Sequence, residues 1–352
     1  MDMHAAAPAP HSAAQAQPTI LLVRVSSLGD VLHNLPMVAD ISRHFPNAKI
    51  DWVVEEAYAS LVRLHPGVRT IIPVAFRRWR KSLGKKETRA EIAAFLKTLR
   101  SQRYDYVFDT QGLIKTGILM GAARLAPGGK KVGLANGSDE SGYEGISRVF
   151  HTDSIRLDPR THAVTRGRLV AAKAMGYTID AAGDPPADFG LPDVPRPDPL
   201  PHWMPAQPYA VYFHGTARDA KKWPAQHWVA LGRALAPLTI LLPWGSAKEK
   251  AEAEALAANL PNARLLPKLS MDEAVLLARH AALAVGVDTG LTHIAAAFER
   301  PTVEIYCDSS RWKTEGNWSE KIINLGDRGA PPGVDEVVTA AKRLLGQAAP
   351  PA

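Results

Sequence analysis

The chain has 352 residues, 46% of them hydrophobic and 22% charged, with a formal charge of +7 and a pI near 9.4. This is the length of two ordinary domains and the composition of a soluble globular protein. No apolar stretch approaches the roughly 20 residues of a membrane helix, and the single cysteine, Cys307, excludes an internal disulfide framework and a cysteine metal cluster. The basic excess favours an anionic partner, a phosphorylated substrate or an anionic membrane surface. Nucleic acid is disfavoured, because no basic-aromatic recognition motif occurs.

Residues 1–18 are rich in Ala, Pro and Gln and lack the basic start and apolar core of a signal peptide. They read as a disordered tail. The single cysteine leaves a cytoplasmic setting by default. Thr19 to Val25 reads as a strand, and a helix follows from about Asp30 to Arg43. Ile50 to Val54 and Arg69 to Val74 are the next strands. Arg77-Arg78-Trp79-Arg80-Lys81 is the densest basic run, with Lys85, Lys86 and Arg89 behind it. It is either a solvated loop or an anion site at a lipid interface, and the Trp favours the second reading. Glu87 to Arg100 is a helix with Ile92, Phe95, Leu96 and Leu99 on one face. Asp105 to Phe108 is a strand that ends at Asp109-Thr110-Gln111-Gly112. This alternation of strand and helix implies a parallel sheet over a first domain, 19–182.

Residues 183–208 are too rich in proline for a helix or a central strand and form the expected interdomain linker. A second domain, 209–333, follows the same alternation. Its strands are Tyr209–Phe213, Leu238–Leu242, Leu283–Val287 and Thr302–Tyr306. Helices run from Pro224 to Leu235, from Lys248 to Leu260, and onward from the capping box Ser270-Met271-Asp272-Glu273. A closing helix is expected over 334–347.

Chemistry-bearing residues collect where strands end. Strand Leu283–Val287 runs into Asp288-Thr289-Gly290-Leu291-Thr292-His293 and directly into a helix, which aims backbone N–H groups at an anion. After Phe213 come Thr216 and Lys221-Lys222 before a new helix; this is either a diphosphate site or a solvent-facing lysine pair. Glu249 follows Pro243-Trp244-Gly245 and is either a ribose-hydroxyl ligand or a first-turn helix acid. In the first half Ser26-Ser27-Leu28-Gly29-Asp30 offers Asp30 as either a helix N-terminal acid or a general base at a cleft. No acidic pair stands out as a metal site, so no metal and no cofactor is expected.

The opening motif from Ser26 to Pro36 resembles that of bacterial lipopolysaccharide heptosyltransferases. So do 51–56, Ile72-Pro73-Val74, 77–81, 109–115, Leu242-Pro243-Trp244-Gly245 and 287–293. The runs Trp52-Val53-Val54-Glu55-Glu56 and Arg77 to Lys81 are most similar to the heptosyltransferase I branch and favour it over II; heptosyltransferase II or III acting on a later core acceptor is the alternative. The resemblance implies a GT-B fold: two Rossmann-like parallel-sheet domains facing across a cleft, with the last helix crossing back to the first domain. It implies inverting, metal-independent transfer of heptose from ADP-L-glycero-beta-D-manno-heptose to Kdo2-lipid A, by an enzyme peripheral on the cytoplasmic face of the inner membrane. Asp30 matches the catalytic base. Thr216, Lys221, Glu249, Asp288, Thr289, Gly290 and His293 match donor positions, and Arg77, Arg78, Arg80, Lys81, Gln111 and Lys115 fall to the acceptor side. Three features depart from the pattern: Ala217 replaces a second Thr, and stretches 133–147 and 306–310 differ. A nucleotide-sugar epimerase or hydrolase of the same fold, or a non-catalytic nucleotide-binding protein, are the rival readings.

Overall fold

The computed structural model describes residues 17–179, 186–193 and 195–347. Most of the expected N-terminal tail, with 183–185 and 194 of the expected linker, lies outside them.

The first half carries strands β1 (Thr19–Val23), β2 (Lys49–Glu55), β3 (Val68–Val74), β4 (Arg103–Asp109), β5 (Arg124–Leu134) and β6 (Asp153–Ile155). They form one sheet in the order β3-β2-β1-β4-β5-β6. The second half carries β7 (Tyr209–Phe213), β8 (Thr239–Leu242), β9 (Ala263–Leu265), β10 (Leu283–Val287), β11 (Thr302–Tyr306) and β12 (Ile322–Gly326). Their order, β12-β11-β10-β7-β8-β9, repeats that of the first sheet. Every strand pairing in both sheets is parallel. The continuous apolar runs have a direct cause: β7, β10 and β11 are buried at every residue, as strands covered on both faces must be. Each sheet changes winding direction once, between β1 and β4 and between β7 and β10. The crevice for ligands opens at the carboxyl ends of those strands.

Helices α1 (Leu28–Leu32), α2 (Leu35–His44), α3 (Ala59–Arg63), α4 (Phe76–Trp79), α5 (Lys86–Leu99), α6 (Ile114–Ala122) and α7 (Ala163–Met175) accompany the first sheet. Helices α8 (Ala225–Ala234), α9 (Ala247–Ala257), α10 (Met271–Arg279), α11 (Gly290–Ala297) and α12 (Val334–Gln347) accompany the second. The single helix expected from Asp30 to Arg43 is two. Pro36 in the first turn of α2 has no N–H, and its ring crowds the carbonyl four residues back. Asn34 Nδ2 satisfies one freed carbonyl, that of Asp30, at 2.8 Å.

The last helix does not cross back to the first domain. Its apolar stripe, Val337, Ala340, Ala341 and Leu344, is buried in the core of the second domain with Leu231 of α8 and Val303 and Ile305 of β11. That stripe has the spacing of one helical face, and the second sheet already supplies a matching apolar surface for it. The linker, where described, is irregular as expected but is not a loose tether. Phe189, Trp203 and Met204 are buried in a core drawn from both halves, and Trp203 Nε1 donates to Glu273 Oε1 at 3.1 Å.

Candidate active site between the two domains

Helix α1 starts just after β1 and α11 just after β10, so both begin at a winding switch and meet across the crevice. A Cβ on Gly290 would lie 2.8 Å from the Leu28 side chain. Glycine at this position therefore lets the two helix starts approach each other. The His33 and His293 rings lie 4.9 Å apart between them.

Asp30 uses both oxygens. Oδ2 accepts from Ser27 N at 2.9 Å and from Ser27 Oγ at 2.8 Å, closing a capping box on α1. Oδ1 pairs with Arg24 Nη2 at 2.6 Å. Burial in the cleft opposes ionisation, but Arg24 and the Ser27 donors outweigh it and hold the Asp30 carboxyl at about 2. The helix-acid reading of Asp30 is thus correct as far as it goes. Yet 41% of the side chain still faces open space, and two cavities meet there.

The larger cavity, about 540 Å³, lies between the domains. Asp30, Thr216, Lys221, Asp288, Thr289, Gly290 and His293 all line it, and so does Arg77. Lys221 Nζ donates to Asp288 Oδ2 at 2.5 Å. His293 lies between two carboxylates: Nε2 is 3.0 Å from Asp288 Oδ1 and Nδ1 is 2.8 Å from Glu304 Oε1. Burial works against a charged ring here, but Glu304 and Asp288 more than compensate and lift His293 to about 10. It is therefore an imidazolium at neutral pH, set under the start of α11. Glu304 is fully buried on β11 and also accepts from Tyr306 Oη at 3.0 Å and Gly316 N at 3.0 Å. In sequence it was only a polar residue inside an apolar strand, and its role was missed.

Glu249 does not line this cavity. Its Oε2 accepts from Gly245 N at 2.7 Å and Ser246 N at 2.9 Å, the first-turn helix role that was its alternative reading. It does stand at the end of β8, with its carboxylate 3.0 Å from where a Gly215 Cβ would be.

The smaller cavity, about 250 Å³, is lined by the first domain with Lys313 of the second, and shares Asp30, His33, Glu140 and Lys313 with the larger. Gln111 lines it, with Arg24 and Arg166. Arg166 donates to the Asn136 carbonyl at 2.7 Å, while its Nη1 is buried without a partner. Neither arginine was singled out in sequence, because each is a lone basic residue on an otherwise ordinary element.

The basic run divides. Trp79 is not an interfacial ring: it is 6% exposed, packed in the core against Phe95, and its Nε1 donates to Glu91 at 2.8 Å. An indole with its polar edge satisfied and its body in contact with other apolar rings gains by burial. Arg78 is held by Glu56 at 3.1 Å and Glu91 at 2.6 Å. Arg77 alone turns into the larger cavity, donating to Tyr58 Oη at 2.7 Å. Arg78, Arg80, Lys81 and Lys115 line neither cavity, although Lys115 Nζ reaches Ser26 Oγ, at 3.3 Å, on the rim of the smaller one.

The two stretches that depart from the family pattern touch each other. Glu140 Oε1 accepts from Ser310 Oγ at 2.7 Å and from Arg328 at 2.7 Å, and the Glu140 carbonyl accepts from Lys313 Nζ at 2.9 Å. These contacts form a polar clasp on the wall of the larger cavity, between the first domain and the second. Among the described residues no group of three or more His, Cys, Asp or Glu is clustered as a metal site, and no helix is long and apolar enough to cross a membrane.

Residues 92–342 match glycosyltransferase family 9 (heptosyltransferase). The chain is 38% identical over 292 residues to lipopolysaccharide heptosyltransferase 1 of Escherichia coli strain K12, covering 82% of this chain and 87% of that protein. It is 36% identical over 310 residues to lipopolysaccharide heptosyltransferase 1 of Pseudomonas aeruginosa, covering 87% and 83%. Its fold matches that of the E. coli heptosyltransferase WaaC with ADP, with a TM-score of 0.77 and 32% identity, covering 94% of this chain and 100% of that one. With the doubled parallel-sheet architecture and the strand-end cleft, these matches show that the chain belongs to glycosyltransferase family 9, the heptosyltransferases.

Proposed function

We propose that this chain transfers L-glycero-D-manno-heptose from its ADP derivative to a Kdo residue of Kdo2-lipid A, with inversion and without a metal, at the inner-leaflet membrane surface. The observation that carries the reading is the place of Asp30, a carboxylate common to a cavity in the first domain and a cavity between the domains; Glu140, the other shared carboxylate, is taken up by Ser310 and Arg328. The acceptor enters the smaller cavity and the ADP-sugar the larger. Likeness to a relative whose structure holds ADP supports the donor side.

Asp30 takes the proton of the acceptor hydroxyl as that oxygen attacks the anomeric carbon. The Arg24 pair keeps the carboxylate ionised and aimed until an acceptor arrives. The C–O bond to the β-phosphate breaks with its electron pair on ADP. The growing charge meets Lys221, the Thr216 hydroxyl and the N–H groups at the start of α11, with the His293 imidazolium behind them. Arg77, on the first-domain wall of the same cavity, adds charge from the opposite side. One base suffices for a single displacement.

The deciding experiment measures ADP release from ADP-heptose with and without Kdo2-lipid A. Release that depends on the acceptor, and falls roughly 10²–10⁴-fold in Asp30→Ala while ADP still binds, supports the reading. Acceptor-independent release indicates a hydrolase, and near-wild-type turnover in the variant removes Asp30 as the base.

A further inference from the structure

Five large hydrophobic side chains stay exposed among the described residues, and all five belong to the first domain. Four lie on two elements that pack against each other. Ile114 and Ile118 are one turn apart on α6, and Ile146 and Val149 are one turn apart on the 3-10 turn Gly145–Phe150. The two elements pack directly: a Cβ on Gly117 would lie 2.6 Å from the Phe150 ring, and one on Gly121 would lie 2.8 Å from it. Glycines 117 and 121 thus bring the turn against α6, on the flank next to Ile114 and Ile118. Ile118, Ile146 and Val149 are 55%, 62% and 71% exposed, which a monomer's water-facing surface gives no reason to keep in one place.

The charges around the patch are basic. Lys115 and Arg148 are exposed within it, and Lys131 reaches its far end, donating to the Gly121 carbonyl at 2.9 Å. The nearby acid, Glu144, accepts from Ile114 N at 2.6 Å and is taken up at the start of α6. The fifth exposed hydrophobic, Leu83, follows α4 among the exposed Arg80, Lys81, Lys85 and Lys86; α4, α5 and α6 share one apolar layer on the same side of the first sheet. The patch also adjoins the smaller cavity. Lys115 touches Ser26 on its rim, and Tyr143, two residues before the turn, lines it.

We propose that the α6 and Gly145–Phe150 surface is the face by which this chain docks on an anionic lipid bilayer, so that an acceptor anchored there presents its sugar to the smaller cavity. The inference rests on the lipid-linked acceptor proposed above. Apolar side chains inside a basic rim match an interface of acyl chains beneath anionic headgroups, and one lipid-anchored acceptor would then be gripped at both ends. This surface differs from the Arg77–Lys81 run, whose Trp79 and Arg78 are occupied within the fold.

The test compares wild type with Ile118→Asp/Val149→Asp and with the milder Ile146→Ser/Val149→Ser. Three readings are taken: co-sedimentation with phosphatidylethanolamine–phosphatidylglycerol vesicles, kcat/KM on Kdo2-lipid A embedded in those vesicles, and kcat/KM on a water-soluble Kdo acceptor without acyl chains. The expected result is a loss of about tenfold or more in the first two readings, with the third held within about twofold. Phosphatidylcholine in place of phosphatidylglycerol weakens wild-type binding. Unchanged vesicle binding in the variants overturns the proposal. So does an equal loss on the soluble acceptor, which marks a structural role, or a change in oligomeric state, which marks a protein partner. A wild-type chain that binds vesicles through this face yet transfers heptose to neither acceptor refutes the proposed reaction and leaves the docking surface standing.

Discussion

Glu304→Gln removes one of the two carboxylates that keep His293 charged while leaving the size of the side chain almost unchanged. The His293 side chain is 3% exposed and that of Glu304 is 0%, so solvent screens little of their interaction. The rise from 6.5 to about 10 corresponds to about 5 kcal/mol favouring the charged ring, net of the burial that opposes it. Asp288 supplies part of this and remains in the variant. Breaking one buried pair typically costs about 3–5 kcal/mol, so a loss of about 3 kcal/mol at neutral pH is expected. The sign of the pH dependence follows from linkage. A group whose folded value is raised contributes stability that is complete below its unfolded value and fades as pH climbs through the folded one. The gap between wild type and variant should therefore be widest below 6.5 and narrow as pH approaches about 10. Urea denaturation of both proteins across that span measures it, and NMR of the His293 ring reports its charge directly. A gap that does not change with pH, or a neutral His293 in the wild type at neutral pH, would refute the account of a clamped imidazolium. Because the ring lies under the α11 start, the variant should also raise the donor KM more than the acceptor KM.

Lys221→Ala should weaken ADP-heptose use by about tenfold or more with little effect on the acceptor, since Lys221 faces the larger cavity and charge-assisted contacts to phosphate are the strong ones. Steady-state kinetics with each substrate varied would show it, and an effect confined to the acceptor would reverse the assignment of substrates to domains. Activity should survive EDTA; complete loss restored by Mg²⁺ or Mn²⁺ would end the metal-free mechanism. Arg77→Ala and Arg78→Ala should part company. Arg77 lines the larger cavity, so its loss lowers kcat/KM several-fold, whereas Arg78 is exposed and already paired with Glu56 and Glu91, so its loss leaves kinetics within about twofold. Equal kinetic losses in both variants would restore the whole run as a substrate site.

The sequence by itself determined the two parallel sheets. A strand covered on both faces must be apolar throughout, so Tyr209–Phe213, Leu283–Val287 and Thr302–Tyr306 were readable to the residue. Strand β5 was not, because Pro127-Gly128-Gly129 give it the composition of a turn. The strand ends also marked Asp30, Lys221, Asp288 and His293, because parallel sheets place their ligand groups there. Only the tertiary structure decided what each group does. Whether Arg78 meets a substrate or Glu91, whether Trp79 faces lipid or core, and whether α12 serves the first domain or its own sheet all depend on surfaces assembled from distant segments. The same holds for Glu304 against His293, for Glu140 across the cleft to Arg328, and for α6 beside the Gly145–Phe150 turn. Burial periodicity is imposed locally, residue by residue, and so is written along the chain. Charge pairing and patch formation act through space, and a lone Glu or Ile carries no mark of the partner that folding will set beside it.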